Sequence, residues 1–481
     1  MKLIGSSLYF CFIYPLIFSM RSNKYVENNW DSLLARLPSN LEETAQTEKA
    51  IIRKRGVKSA SDLLRLVFAY SMLNFSLRDV ATWAFQMGIA VISDVAILNR
   101  FLNCPMWLKF LISFMLKERA SFAPPFKNLF RIRIFDASLV NRPGSKGSDY
   151  RLHAGFDLSR FQLDYLELTT YKVGESLTNF TFHPGDVALV DRGYSHRRGV
   201  WHVKEATADV IVRMNWQNFP LQYPDGQDFD LFGELRKLKI FGQCDIQVQT
   251  APLISEKIPA ISGRVIAMRK DKEAAEKARR KANQEAKKKG RQLDERTLEA
   301  CDYIFIFTTL AEDIVTASEI LEIYRFRWQI ELLFKRLKGI MKLDEISAKK
   351  DQLCETFLLG KLLAAILVEN AIAQCEVFTP EGINTFRPIS HWRLTKAVVA
   401  AIISSIGTIP NLNYWQETIP LAFERYLDRP RKRLKQSAVA TAFKLSNLQK
   451  DPPRRDSRSE FFFSQGIIAF QKRIKVAEMA Y

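Results

Sequence analysis

Between Tyr324 and Lys338 the chain sets one carboxylate, Glu331, among the cations Arg325, Arg327, Lys335, Arg336 and Lys338. Two aspartates, Asp136 and Asp191, stand far upstream, each directly after a short apolar run. Carboxylate oxygens suit hard divalent cations. Two such ions about 3.5–4 Å apart can activate water, orient a phosphate and stabilise a departing 3′-oxygen. Three acids in a basic chain therefore point to metal-dependent cutting and rejoining of DNA. An acid at a strand end is often only a polar exit from the core. The matched placement of Asp136 and Asp191 favours chemistry, because a rigid apolar run preorganises the side chain that follows it. No histidine need act as the base: His153, His183, His196, His202 and His391 form no compact ligand pattern. They read as local hydrogen-bonding groups, with His153 and His196 in possible reach of DNA.

Elements must hold these acids. Residues 131–138 read as a strand carrying Asp136, and residues 186–191 as a buried strand ending in Asp191. Alternating segments at 151–157 and 161–170, with further strands at 209–214, 263–268 and 302–309, complete a mixed α/β sheet. Thr316 and Glu319 have capping-box spacing, so one helix is expected from about 317 to 338. On it Tyr324, Arg327, Glu331, Lys335 and Lys338 share a polar stripe. Ile323, Phe326, Ile330, Leu333 and Leu337 form the apolar one, and Trp328 is expected to face the core. A surface helix laced with ion pairs is the competing account; it does not explain a tyrosine and excess positive charge around a single acid.

Composition sets the bounds. At 481 residues, 47% hydrophobic, the chain is long enough for a sizeable core and is not wholly disordered. Its formal charge of +19 favours a polyanionic partner without choosing between DNA, RNA and an anionic membrane. Six scattered cysteines lack Cys-x-x-Cys spacing and read as free thiols in a reducing cytosol. A cytoplasmic, nucleoid-associated protein follows. The apolar run at 8–18 reads as part of an overextended start at 1–24, with a membrane-associated end as the alternative. The later apolar stretch at 357–368 is too short for a span, so no stable membrane partner is expected.

Residues 25–125 read as a helical, DNA-binding domain, with helices near 61–70, 76–86 and 93–101; an all-helical packing domain is the bland alternative. The core follows at 126–214 and again, with supporting helices, at 301–410. Between them, 215–300 reads as a β-rich insertion with a basic helical segment. Residues 269–291 of that segment hold eleven basic and four acidic side chains, spaced by alanines. A solvated hairpin competes there with a clamp on the DNA backbone, and the excess of cations favours the clamp. Residues 411–481 carry basic tracts suited to DNA or partner contact.

Tyr324, Arg327, Glu331 and Lys338 reproduce a Tyr-x2-Arg-x3-Glu-x6-Lys signature, and over residues 60–410 the chain resembles the bacterial insertion-sequence DDE transposases that carry it. Residues 134–138 resemble the first acidic segment of that group, and residues 189–194 the second. The resemblance implies a ribonuclease-H-like core with a β-rich insertion before the last acid, preceded by a helical DNA-binding domain. It implies Asp136, Asp191 and Glu331 as catalytic residues and metal ligands, with Mg²⁺ as cofactor and Mn²⁺ as a substitute. Tyr324, Arg327 and Lys338 would touch DNA phosphates, with Lys335 and Arg192 as weaker contacts. It further implies double-stranded DNA partners, terminal inverted repeats and target DNA, with strand cleavage, a hairpin at the excised end and strand transfer. Coordinated cutting of two ends makes a homodimeric synapse plausible. A metal-dependent nuclease without strand transfer, a catalytically silent DNA-binding regulator and a membrane protein are the alternatives.

Overall fold

A computed structural model describes residues 29–87, 89–119, 130–377 and 390–407. The apolar start and the basic region from 411 onward lie outside the described residues.

Helices come first: α1 (Asn29–Leu34), α2 (Leu41–Thr47), α3 (Ala60–Met72), α4 (Leu77–Gln86), α5 (Asp94–Leu102) and α6 (Pro105–Arg119). Serines cap three of their starts, and at two of them, Ser76 and Ser93, the sequence places the beginning of a helix. Ser59 Oγ accepts from the Asp62 N–H at 3.0 Å and Ser93 Oγ from the Ala96 N–H at 3.2 Å. Ser76 and Asp79 exchange two such bonds, at 3.2 and 3.0 Å. Each satisfies an N–H that no helical carbonyl reaches. α1, α2 and α6 had no comparable signal. The Arg100 guanidinium at the end of α5 is occupied in the fold, donating to the carbonyls of Arg53 and Arg55.

Nine strands then build one sheet: β1 (Arg131–Val140), β2 (Tyr150–Asp157), β3 (Gln162–Thr170), β4 (Asp186–Val190), β5 (Asp209–Arg213), β6 (Leu221–Gln222), β7 (Gln243–Thr250), β8 (Ser262–Arg269) and β9 (Tyr303–Thr308). Their spatial order is β3-β2-β1-β4-β5-β9-β8-β7-β6. β1, β4 and β5 are mutually parallel, and every other pairing is antiparallel. All five residues of β4 are buried, as a central parallel strand covered on both faces requires. α7 (Arg197–Glu205) crosses from β4 to β5. The stretch 215–300 adds β6, β7 and β8 to this same sheet, joined to it through β8 on β9.

The two faces bury different clusters. Ile132, Ile134, Leu189 and Ile211 lie with Ile323, Ile330 and Leu333 on one side. Phe135, Val190, Val210 and Val212 lie with Val200 and Val203 of α7 on the other. Strand alternation produces that division.

The remaining helices are α8 (Leu231–Arg236), α9 (Lys272–Lys288), α10 (Glu295–Ala300), α11 (Ala317–Arg325), α12 (Trp328–Gly339), α13 (Asp351–Val377) and α14 (His391–Gly407). The expected single helix over 317–338 is two. Around Phe326 and Arg327 the backbone bonds run three residues back, Phe326 N–H to the Ile323 carbonyl at 2.9 Å and Arg327 N–H to the Tyr324 carbonyl at 3.2 Å. That tightens the turn and re-aims α12.

α13 is much longer than the apolar run at 357–368. Its span Asp351–Ala373 is long and apolar enough to cross a membrane, yet 89% of the tested window is buried inside the protein. α3, α6, α14 and β3 pack around it. A Cβ on Gly360 would stand 2.6 Å from Ser71 Oγ and 3.0 Å from Val67 Cγ1, so only glycine allows α3 this close. Two buried cations tie α12 to α13. Arg336 pairs with Glu369 at 3.2 Å, and Lys361 Nζ donates to the Lys342 carbonyl just beyond α12. Burial, the largest influence on that amine, pulls its pKa down to about 8.

Candidate active site

Register brings the two aspartates together. β1 and β4 pair in parallel from Arg131 with Asp186 to Phe135 with Val190. The next residue on each strand is an acid, Asp136 and Asp191, and adjacent strands lie about 4.8 Å apart. β1 does not end at its acid, as a strand-end reading required. It continues to Val140 against β2 alone, because β4 has stopped at Val190. Asp136 therefore sits where the sheet loses a strand and a carboxylate can meet a ligand. Phe135 and Val190 face the α7 side, so the acids that follow them alternate toward the side of α11 and α12.

The turn between those helices delivers three of the expected groups. Tyr324 Oη donates to Asp191 Oδ1 at 3.2 Å. The Arg327 guanidinium lies 3.9 Å from Asp191 Oδ2 and hydrogen-bonds Glu331 Oε1 at 2.5 Å, bridging the second and third acids. The broken helix makes this possible: Tyr324 lies in the last turn of α11, Arg327 stands at the N-cap position of α12, and Glu331 lies one turn in.

The two aspartates have opposite electrostatics. Asp136 accepts one bond, from the Ala137 N–H at 2.8 Å, and among the described residues no cation lies within ion-pair distance of it. Burial first, with Glu175 and Asp191 adding repulsion, raises its pKa from 3.8 to about 7 against the pull of Ala137 and Arg327. Asp191 is pushed up by burial too. The Arg327 charge, the Arg192 N–H at 2.7 Å, Arg213 and Tyr324 outweigh it and hold the carboxyl below its ordinary range. Burial and then the Asp191 charge raise the Tyr324 phenol, which keeps its proton for that bond. Burial works against the Arg327 charge, but Asp191 and the other partners more than compensate.

The other expected residues lie at increasing distance. Lys338 Nζ donates to the Leu139 carbonyl at 2.9 Å, three residues past Asp136 on β1. Lys335 is exposed, its amine 5.3 Å from the centre of the half-buried Trp328 ring, so Trp328 lies at the boundary rather than in the core. Arg192 is exposed, and it is its backbone that meets Asp191. His153, expected within possible reach of DNA, is fully buried and bonded to Thr169 Oγ1 at 3.0 Å. It faces inward because its β1 partner is Ala137, one residue out of phase with Asp136.

Three charged residues were missed. Arg213 ends β5 one residue beyond the Val190–Val212 pair and therefore stands beside Asp191. The signal was present: it follows an apolar run as the two acids do. Lys270, just past β8, has no such pattern. Nor does Glu175, whose carboxylate lies over Gly193, with Oε2 only 2.4 Å from where a Cβ would be.

Among the described residues, no three carboxylate, imidazole or thiol side chains stand close enough to hold a metal ion. Asp136 and Asp191 nevertheless fit a hard cation: two adjacent carboxylates, one of them half-buried with no cation at ion-pair distance among the described residues. Glu331, the third expected acid, is held by the Arg327 guanidinium.

A helical N-terminal region, a mixed-sheet core and register-paired acids beneath an Arg–Glu helix define the class of architecture. Residues 127–367 match the family model described as "Transposase DDE domain". The chain is 33% identical over 362 residues to the putative transposase InsL for insertion sequence element IS186A of Escherichia coli (strain K12), covering 74% of this chain and 98% of that protein. It is 33% identical over 363 residues to the transposase for IS421 of Escherichia coli, with 74% and 98% covered. It is 24% identical over 373 residues to the transposase for IS231F of Bacillus thuringiensis subsp. israelensis, with 70% and 77% covered. Among solved structures, a piggyBac transposase synaptic complex with hairpin DNA aligns at TM-score 0.40 and 8% identity over 92% of this chain and 88% of that one, a likeness that carries no argument. The chain belongs to the DDE family of insertion-sequence transposases, DNA-binding proteins of recombination, and is related to the InsL group.

Proposed function

We propose that this protein is an active, Mg²⁺-dependent transposase that cuts the terminal inverted repeats of its element and joins the freed ends to target DNA. The observation that carries the reading is the β1–β4 register, which makes Asp136 and Asp191 neighbours beneath Tyr324, Arg327 and Glu331. In this reading the core is ribonuclease-H-like, and Tyr324, Arg327, Glu331 and Lys338 act as the Tyr-x2-Arg-x3-Glu-x6-Lys signature.

Asp136, Asp191 and Glu331 would hold the metal. Bound Mg²⁺, or Mn²⁺ in its place, supplies Lewis acidity at the scissile phosphate and lowers the pKa of the attacking water. In cutting, water oxygen bonds to phosphorus as the bond to the 3′-oxygen breaks, leaving a 3′-hydroxyl and a 5′-phosphate. In joining, a 3′-hydroxyl attacks a target phosphate and displaces that strand's 3′-oxygen, so one phosphodiester forms as one breaks and no energy cofactor is needed.

The residues divide these tasks. Asp136, with its raised pKa, gives up a proton on loading, which couples metal affinity to pH. Arg327 screens Asp191 and Glu331 from each other's charge, and with a cation bound between the acids its guanidinium would be free to meet a DNA phosphate. Tyr324 and Lys338 flank that phosphate. Lys335 and Arg192, both exposed, add weaker contacts. The N-terminal helical region contributes DNA contact, and a homodimer brings two element ends into one synapse.

Glu331→Gln tests the assignment, since it removes charge with little change of shape. Mg²⁺-dependent cutting of end DNA falls to background, while end-DNA binding in chelator stays within about twofold, as expected for a group that acts in the transition state. Cutting that survives in the variant refutes the reading. End DNA already cleaved to a 3′-hydroxyl separates it from a nuclease: a transposase joins such ends to target DNA, and a nuclease leaves them free.

A further inference from the structure

α9 leaves the sheet at the edge that carries the acids. β9 is antiparallel to β5, with Arg213 opposite Ile306, and β8 is antiparallel to β9, with Arg269 opposite Tyr303. β8 therefore runs in the direction of β1, β4 and β5, and ends on their side. Three strand spacings across the sheet, about 14 Å, and three residues along β8, about 10 Å, separate its end from Asp191. The gap is bridged by charge. Lys270, directly after β8, lies close enough to Arg213 and Arg192 that both cations, after burial, help depress its pKa to about 8. Arg213 in turn bears on Asp191.

The helix is fixed to this edge rather than loosely attached. Asp271 caps it, accepting from the Ala274 N–H at 2.7 Å. Arg279 pairs with Asp302 at the start of β9, with one bond at 2.7 Å, and Lys270 Nζ donates to the Cys301 carbonyl at 2.5 Å. Gly290, at φ +62°, turns the chain back. Only Ala275 and Ala286 are buried along its 17 residues, so the small side chains lie inward and the long cations point out. Such a helix is about 25 Å long.

Along α9 positive side chains outnumber negative ones. Here the exposed acids Glu276 and Glu285 meet Arg280 and Lys281 at 3.3 and 4.0 Å, fully solvated pairs of little strength. Lys277, Lys287, Lys288 and Lys289 add exposed positive charge beyond those pairs.

We infer that α9 is a sequence-independent arm for the DNA backbone, which continues the catalytic edge through Arg213 and Lys270 and holds the duplex beside the cut. The inference rests on the proposed function for the identity of the site, and its test does not use catalysis. In the full chain, Lys277, Lys281, Lys287 and Lys288 are changed together to Gln. Binding to a duplex of unrelated sequence is then followed against salt in chelator. Each lost phosphate contact lowers the slope of log K on log salt by about 0.9, so the slope falls by roughly 2–4 and affinity near 0.1 M salt falls at least about tenfold. The same four positions changed to Arg keep the parent slope. Glu276→Gln with Glu285→Gln tightens binding, an effect that damage to the fold cannot mimic. An unchanged slope in the Gln variant overturns the inference, as does an Arg variant that behaves like it or a Glu variant that binds no tighter. Glu331-dependent cutting beside an unchanged slope sinks the arm alone; a reduced slope beside cutting that ignores Glu331 sinks the proposed active site alone.

Discussion

Replacing Asp136 by Asn removes the chemistry and at the same time stabilises the metal-free protein. The carboxylate is half-buried, accepts a single hydrogen bond, and shares its surroundings with Glu175 and Asp191; desolvation first and then that repulsion put its pKa at about 7 rather than 3.8. A rise of roughly three units at about 1.4 kcal/mol each sets a ceiling of about 4 kcal/mol on the cost of ionising it in the fold. The Asn amide group needs a partner of its own, which returns about 1–2 kcal/mol. The net gain is about 2–3 kcal/mol, or roughly 2–3 °C in melting temperature for a chain of this size. The sign follows from proton counting. Below about pH 4 both states of the wild type carry a neutral carboxyl, and this group gives the variant no advantage. Between that pH and about 7 the unfolded chain ionises first, so wild-type stability falls as pH rises and the advantage of Asn grows. Above about pH 7 the folded carboxyl is ionised too and the advantage is complete. Thermal melts of both proteins in chelator across this range measure it directly. Excess Mg²⁺ then raises the wild type, through binding to the native state, and leaves the variant nearly unmoved. A variant less stable than wild type at about pH 8, or a gain independent of pH, refutes the electrostatic reasoning.

Asp191→Asn has the opposite effect. Its carboxylate is held below the ordinary range, so its stabilisation is present above the unfolded pKa and is lost as pH falls through the folded one. Losing the Tyr324 and Arg327 interactions costs about 1–3 kcal/mol at neutral pH, seen as a lower melting temperature. Arg336→Met alone strands the buried Glu369 carboxylate and costs about 3–5 kcal/mol, whereas Arg336→Met with Glu369→Leu is close to neutral in urea unfolding. Gly263→Ala places a Cβ 2.6 Å from the Thr308 carbonyl and 2.5 Å from the Phe307 ring, so β8 must shift off β9. It costs about 1–3 kcal/mol or more, with weaker amide protection in both strands as the readout.

Much of the local structure was legible. Ser76 and Ser93 marked their helices because a cap is a contact between residues three apart. Apolar runs marked β4 and β5, and Thr316 with Glu319 marked the start of α11 through a formed capping box. The break at Phe326 was not legible. The apolar stripe continues through it, and α12 is docked on α13 by contacts distant in sequence, Arg336 on Glu369 and Lys361 of α13 on the Lys342 carbonyl. The length of α13 was hidden as well, because a helix packed on all sides has no polar face to supply a period. His153 was misplaced for want of register: one step along β2 separates a side chain beside Asp136 from one inside the α7 face.

The sequence by itself determined which groups are available and their order along the chain: two acids each behind an apolar run, and Tyr324, Arg327, Glu331 and Lys338 at helical spacing. Only the tertiary structure decided that Asp136 and Asp191 are neighbours, that Arg327 stands between Asp191 and Glu331, and that α9 rises from the same edge. Periodicity and capping act over a few residues. Strand register and helix docking are fixed by burying side chains far apart in the chain, and a residue pattern does not record that pairing.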